Sequence, residues 1–368
     1  MIPTSMMASE AGVAAKTGVT PTTPHDLDEA EIVERIAAIK QAYGTRLVLL
    51  GHHYQRREIV ELSDHRGDSF ELCRAAASQD DAEIIVFCGV RFMVESARVL
   101  ARPDQRVYHP NARAGCPMAD MANSVSVERA WDDLVERGLD STTIPVTYMN
   151  SDVELKAFTG THGGIVCTSS NATRVFKWAF ERGDRIVFYP DEHLGRNMAD
   201  EMGIESLIYD PRLPLGGLSE EQFRNSKVLL WKGYCHVHTH FTTDHVAEAR
   251  RAWPGVYVMA HPECTAEVIA AADFSGSTSQ MCKKVADAPE GSSFAIGTEI
   301  NMIHRLAYEH PDKEIHTLSR SLCPNMYRIN LYNLYDLVRD LDRAEEVRVS
   351  EDVMEGARLA LDRMLSVP

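Results

Sequence analysis

A strand-like run closing on a polar cluster, then a helical stretch, then a short hydroxyl-rich element that opens another helix: this pattern recurs three times in the 368 residues. No other feature restricts the fold as much. The runs are 47–50 before GHHYQ, 144–147 before YMNSD and 256–259 before AHPEC, and the hydroxyl elements are GDS (67–69), TSSN (168–171) and GSTS (276–279). The separations agree: 17 positions from His52 to Ser69, 21 from Tyr148 to Ser169 and 16 from His261 to Ser277. A second apolar run follows in each copy (84–87, 186–189, 294–296), then a third (107–109, 228–231, 314–317). Shortly after the third stands one cysteine: Cys116, Cys235 or Cys323.

Strand–helix alternation of this kind predicts parallel sheets covered by helices on both faces. The expected fold is α/β: three repeated parallel-sheet αβα units around a pseudo-threefold axis. Residues 1–25 read as a disordered tail, 26–125 as the first unit, 126–240 as the second and 241–329 as the third. Helices within 330–368 are expected to join the first unit. Helical stretches are predicted at 27–43, 126–139, 241–252 and 330–345, and 203–225 reads as an insertion. The repeated positions hold His, Tyr, Glu, Asn, Ser and Cys at strand ends, where packing alone would select apolar side chains. Ligands of open α/β sheets bind beyond the carboxyl ends of the strands, so three sheets pointing those ends inward build one central site.

Composition narrows the function. Hydrophobic residues make up 44% and charged residues 25%, which is ordinary globular usage. Thirty-eight Lys plus Arg against 54 Asp plus Glu give −16, which argues against a nucleic-acid partner but leaves room for a small anion in a locally positive pocket. No apolar run approaches the ~18 residues of a membrane span. The first 25 residues lack a basic start followed by an apolar core, so a secretory leader is not expected and the reading is cytoplasmic.

The eight cysteines are too sparse for a disulfide scaffold. Cys73, Cys88, Cys167 and Cys282 lie in helical or strand-like runs and are read as core filler, while Cys264 stays open. Cys116, Cys235 and Cys323 occupy equivalent points of the repeats and are expected to converge. Three buried thiolates repel one another unless a cation holds them. Zinc would recruit a fourth ligand such as His236 or His238, whereas a cubane iron–sulfur cluster would leave one iron open as a Lewis acid. Among the 15 histidines, His52, His53, His238 and His261 stand in strand-end clusters.

Taken together, the segments GHHYQRREIVELSDHRGDS, FCGVRFMVESA, AGCPMADM, VTYMNSD, CTSSNA, PDEHLGRN, HPEC, GSTSQM, IGTE and CPNM resemble the quinolinate synthase family, iron–sulfur transferases of de novo NAD biosynthesis. The resemblance implies a [4Fe–4S] cluster held by Cys116, Cys235 and Cys323. It implies condensation of iminoaspartate with dihydroxyacetone phosphate to quinolinate, with loss of phosphate and water. It also suggests L-aspartate oxidase, which makes the unstable imine, as a transient partner. Proton shuttling falls by resemblance to Tyr54, Tyr148, His52, His261 and Glu263, with His238 beside the cluster. Glu263 is the first choice for acid–base work, because a carboxyl in a partly dry site is expected to titrate near neutrality. Both substrates are anions, so Ser69, Ser169, Asn171, Ser277 and Thr278 at helix starts, and Asn150, are candidates for binding them, plain helix capping being the alternative. Two positions depart from the family pattern: Arg91 replaces the usual His, and Arg320 removes a Cys-x-x-Cys pair at the third cysteine. The competing functions are another iron–sulfur hydro-lyase and a zinc-stapled protein that binds small anions.

Overall fold

The computed structural model describes residues 27–367; the tail assigned to 1–25 lies outside them. Three parallel sheets carry the chain. The first comprises β1 (Leu47–His52), β2 (His65–Gly67), β3 (Ile84–Cys88) and β4 (Arg106–Tyr108) in the order β2-β1-β3-β4. The second holds β5 (Thr143–Tyr148), β6 (Ile165–Cys167), β7 (Arg185–Tyr189), β8 (Ser206–Tyr209) and β9 (Val228–Trp231) in the order β6-β5-β7-β9-β8. The third holds β10 (Tyr257–Ala260), β11 (Phe274–Ser275), β12 (Ser293–Gly297) and β13 (Glu314–Thr317) in the order β11-β10-β12-β13. Helices flank each sheet, so the predicted αβα class is the one observed.

Each sheet starts the same way: its first strand lies between a very short strand and the next long one. Leu50, for example, pairs with His65 on one side and Phe87 on the other. Every residue of β1 and β3 is buried, as expected for parallel strands covered on both faces. The short strands β2, β6 and β11 were not apparent in the sequence. With two or three residues each, they carry no periodicity and exist only by pairing with a neighbour.

Local chemistry sets the helix starts. Asp28 caps Glu29–Tyr43, accepting from Glu31 N at 2.8 Å. Asp68 with Glu71 and Ser277 with Gln280 form capping boxes on Ser69–Ala77 and Thr278–Ala286. Two predicted helices end early. The stretch at 126–139 is Ser124–Val135, with Gly138 at φ 65° in the turn beyond it. The stretch at 330–345 stops at Val338, because the chain then returns to β4, where Glu346 bridges Tyr108. The segment 203–225 is built into the sheet: it supplies edge strand β8 and helix Glu220–Asn225.

One apolar core runs from Leu49 and Val86 of the first sheet through Val146 and Phe188 of the second to Leu361 of the last helix, Glu351–Ser366. The third sheet packs into clusters of its own around Val258 and Ile296. The last helix crosses Val153–Thr161 at glycines; a Cβ on Gly160 would stand 1.9 Å from the Gly356 carbonyl oxygen.

Candidate functional site

The carboxyl ends of the three sheets open on one cavity of about 70 Å³. His52 and Tyr54 reach it from the end of β1 and Ser69 from the start of the helix that follows β2. Tyr148 and Asn150 enter from the end of β5 and Ser169 from the turn after β6. His261 and Glu263 follow β10, Thr278 follows β11, and His238 follows β9. Cys116, Cys235 and Cys323 line the same cavity. Parallel strands all present the same end, so residues that are distant in sequence but equivalent in the repeat meet here.

Two predicted residues lie elsewhere. Ser277 does not line the cavity; its hydroxyl accepts from Gln280 N at 3.3 Å, which is the capping alternative. Asn171 also stands outside, its Oδ1 taking Thr168 N at 2.8 Å and Thr168 Oγ1 at 3.0 Å. Of the other cysteines, Cys73, Cys88, Cys167 and Cys264 are core, and Cys282 is half-buried with Arg305 Nη2 at 3.9 Å. Arg91 pairs with Glu95 at 2.7 Å and is largely exposed.

A chain of polar groups crosses the site. Tyr148 donates its hydroxyl to Glu263 Oε1, and His238 Nδ1 lies 2.6 Å from Glu263 Oε2. His238 Nε2 is 3.1 Å from Thr298 Oγ1 and 3.2 Å from the Tyr54 hydroxyl, which is itself 2.7 Å from Thr298 Oγ1. His261 stacks on His238 with ring centroids 4.2 Å apart, and its Nδ1 accepts from Glu263 N. His52 Nδ1 accepts from Tyr54 N at 3.1 Å, which sets the turn that aims the tyrosine. Thr298 belongs to the IGTE segment at the end of β12. Its only sequence signal was its place at a repeated strand end.

Burial decides the protonation states. It pushes His52 down to about 3, helped by the Arg305 charge, and His261 down to about 3, helped by His238, so both imidazoles are neutral. Burial raises the Tyr54 and Tyr148 phenols, and the Glu263 charge raises them further. Glu263 departs from the expectation of near-neutral titration. Burial pushes its carboxyl up, but its electrostatic contacts with His238 and His261 and the bonds from His238 and Tyr148 outweigh that and hold it down at about 2. Asp191, at the end of β7, is fully buried, and its Oδ2 has no partner among the described residues. Burial and the Glu263 charge drive Asp191 well above the usual carboxylate range.

Burial also drives the three thiols up, Cys116 to about 12, Cys323 to about 11 and Cys235 well above its usual value, and mutual repulsion adds to the shifts of Cys116 and Cys235. Backbone N–H groups of Ala119, Val237 and Met326 point at the sulfurs and favour the thiolate. A trio disfavoured as bare anions, yet furnished with donors for the anionic form, suits a soft cationic group. The alternative set Cys235, His238 and Glu263 has ligand atoms within 4.8 Å of one another. Both ring nitrogens of His238 are engaged there, Nδ1 by Glu263 and Nε2 by Thr298.

Comparison with known proteins agrees with this architecture. Residues 34–366 match the family model described as Quinolinate synthetase A protein. The chain is 48% identical over 363 residues to a protein of Corynebacterium glutamicum named quinolinate synthase, covering 96% of this chain and 92% of that one. Proteins of the same name from Streptomyces coelicolor (44% over 377 residues, 99% and 95% covered) and Bacillus subtilis (42% over 355 residues, 94% and 96% covered) are similar along almost their whole lengths.

Proposed function

The chain belongs to the quinolinate synthetase A family, and from that premise we propose that it condenses iminoaspartate with dihydroxyacetone phosphate to quinolinate, releasing phosphate and water, in NAD biosynthesis. The observation that carries the proposal is the hydrogen-bonded chain Tyr148–Glu263–His238–Thr298–Tyr54, set against a cavity that three convergent cysteines also line.

Cys116, Cys235 and Cys323 would hold a [4Fe–4S] cluster. Bound there, it would supply Lewis-acid chemistry to the cavity. The rest of the work falls to the chain. Asn150, Ser69, Ser169 and Thr278 face the cavity and donate to substrate carboxylates and phosphate, Ser69 and Thr278 from the first residues of helices. Glu263, held ionised, is the proton acceptor for imine–enamine tautomerisation. The Tyr148 hydroxyl and His238 Nδ1 each donate to one of its oxygens and keep it ionised, and the proton it takes from the substrate is handed back to the substrate later in the tautomerisation. Tyr54, whose phenol stays protonated, donates at the far end through Thr298. Neutral His52 and His261 offer ring nitrogens for carbonyl isomerisation and dehydration without adding charge to the cavity. Enclosure by all three sheets shields a water-sensitive imine.

The test is product analysis: anaerobically prepared, cluster-loaded protein given iminoaspartate and dihydroxyacetone phosphate forms quinolinate. Absence of quinolinate from such protein rejects the reading. The proximity of Cys235, His238 and Glu263 favours one rival, a zinc-stapled anion-binding protein. That rival requires colourless protein with stoichiometric zinc after anaerobic preparation. A cytoplasmic location and imine delivery by L-aspartate oxidase belong to the same proposal, as do the unit boundaries at 125, 240 and 329.

A further inference from the structure

Beside the central cavity lies a second cleft of about 710 Å³, between the second and third units, lined by Ser169, Asn171, Arg174, Asn197 and Gln280 among others. Ser169 lines both spaces. The helix Ala172–Phe180 begins in this cleft, and its N-cap, Asn171, makes no capping bond with its side chain. The reason is local: the Asn171 Oδ1 is already taken by Thr168 N and Thr168 Oγ1. The two related helices, Ser69–Ala77 and Thr278–Ala286, satisfy their first turns with complete capping boxes.

A second observation points to a ligand. Asn171 is only 2% exposed, and its Nδ2 is buried with no acceptor among the described residues. A buried amide donor without an acceptor is rare and calls for a partner. Arg174 stands exposed one turn along, with a single bond of 3.5 Å from Nη2 to the Ser170 carbonyl, so most of its guanidinium is left to the cleft and solvent. Several other polar groups on the walls already have partners. Asn197 spends its Nδ2 on the Pro262 and Cys264 carbonyls, and the exposed Glu201 accepts from Thr173 Oγ1 at 3.3 Å. Asp200, the other carboxylate of the cleft, is also exposed.

We infer that this cleft is an anion station for a phosphate group, held by Asn171 Nδ2, the uncapped first-turn N–H groups of Ala172–Phe180 and the Arg174 guanidinium, and sharing Ser169 with the central cavity. Helix starts favour anions through both their N–H groups and their dipole, and a planar guanidinium matches phosphate. The phosphate comes from one of two sources with the same chemistry, a phosphate monoester on its way in or orthophosphate on its way out. That choice of source rests on the proposed reaction, whereas the site does not.

The experiment is calorimetric titration of the full-length, cluster-loaded protein with inorganic phosphate and, in a second arm, with glycerol 1-phosphate. The wild type binds saturably. Asn171→Asp keeps the acceptor for Thr168, improves the cap and places negative charge where the free donor was. Arg174→Glu reverses the only Lys or Arg side chain that lines the cleft among the described residues. Each is expected to weaken binding by about tenfold or more, with a melting temperature in the absence of phosphate no lower than that of the wild type. Binding in both arms, or in the orthophosphate arm alone, supports the station, and the pattern tells entry from exit. Absence of saturable phosphate binding by the wild type, or wild-type affinity in either variant, overturns it. No turnover is measured, so protein that binds phosphate but makes no quinolinate would sink the proposed reaction and leave the station standing.

Discussion

His238 Nδ1 stands 2.6 Å from Glu263 Oε2, and both side chains are only 2% exposed. Tyr148 occupies the other oxygen of the same carboxylate, so Glu263 faces the cavity with a proton-bearing neighbour on each side. Glu263→Gln is nearly isosteric but cannot accept a proton. Turnover is expected to fall by about 10²- to 10⁴-fold, while iron and sulfide per chain stay unchanged. Activity within a factor of a few of wild type would remove Glu263 from the proton path.

Thr298 ties the Tyr54 hydroxyl to His238 Nε2. Thr298→Val keeps the shape and removes the hydroxyl, leaving the Tyr54 hydroxyl and His238 Nε2 with only their direct contact of 3.2 Å. A fall in kcat of about tenfold is expected, at ~1 kcal/mol for each hydrogen bond lost. Thr298→Ser should restore most of it. A serine variant as impaired as the valine variant would mean that volume, not the hydroxyl, matters there.

Single serine replacements of Cys116, Cys235 and Cys323 are expected to abolish iron and sulfide binding, measured by chemical quantitation on anaerobic protein. Cys73→Ser, at a buried helix position facing the core, should leave the metal content intact and cost only stability. Equal iron loss in all four variants would indicate general unfolding rather than ligation.

Lys156 is wholly buried, donating to the Ser151 carbonyl with its Nζ 5.4 Å from the Phe92 ring. Burial lowers its ammonium from 10.5 to about 8, only partly offset by the Glu95 charge. The folded state therefore binds fewer protons than the unfolded one between those values. The penalty is fully present below pH 8 and is relieved as pH rises toward 10.5. Compared with Lys156→Met in denaturant titrations, the wild type should gain up to about 3 kcal/mol across that window, at 1.36 kcal/mol per unit. A difference between the two proteins that does not change with pH would mean that the ammonium is not desolvated.

Gly160 and Gly356 let two helices touch backbone to backbone. Gly160→Ala forces Val153–Thr161 and Glu351–Ser366 apart, at an expected cost of about 1–3 kcal/mol. An unchanged melting temperature would show that this crossing is loose.

The repeat alone was enough to expect three parallel αβα units and to single out the strand ends that meet at the cavity, because three copies of an apolar run closing on polar residues, alternating with helical stretches, read as buried strands with open carboxyl ends. The meeting of Cys116, Cys235 and Cys323 at the cavity was legible for that reason; Tyr148 and Glu263 stood in the same strand-end clusters, but their proton roles were implied only by the family resemblance. Tertiary structure decided the rest. The short strands exist only through pairing, and Ser277 turned inward to cap its own helix. Thr298 joined two side chains that are 184 positions apart. The charge state of Glu263 also came from the fold. Burial by itself predicts a protonated carboxyl, and only the folded chain places two histidines and a tyrosine around it closely enough to reverse that sign.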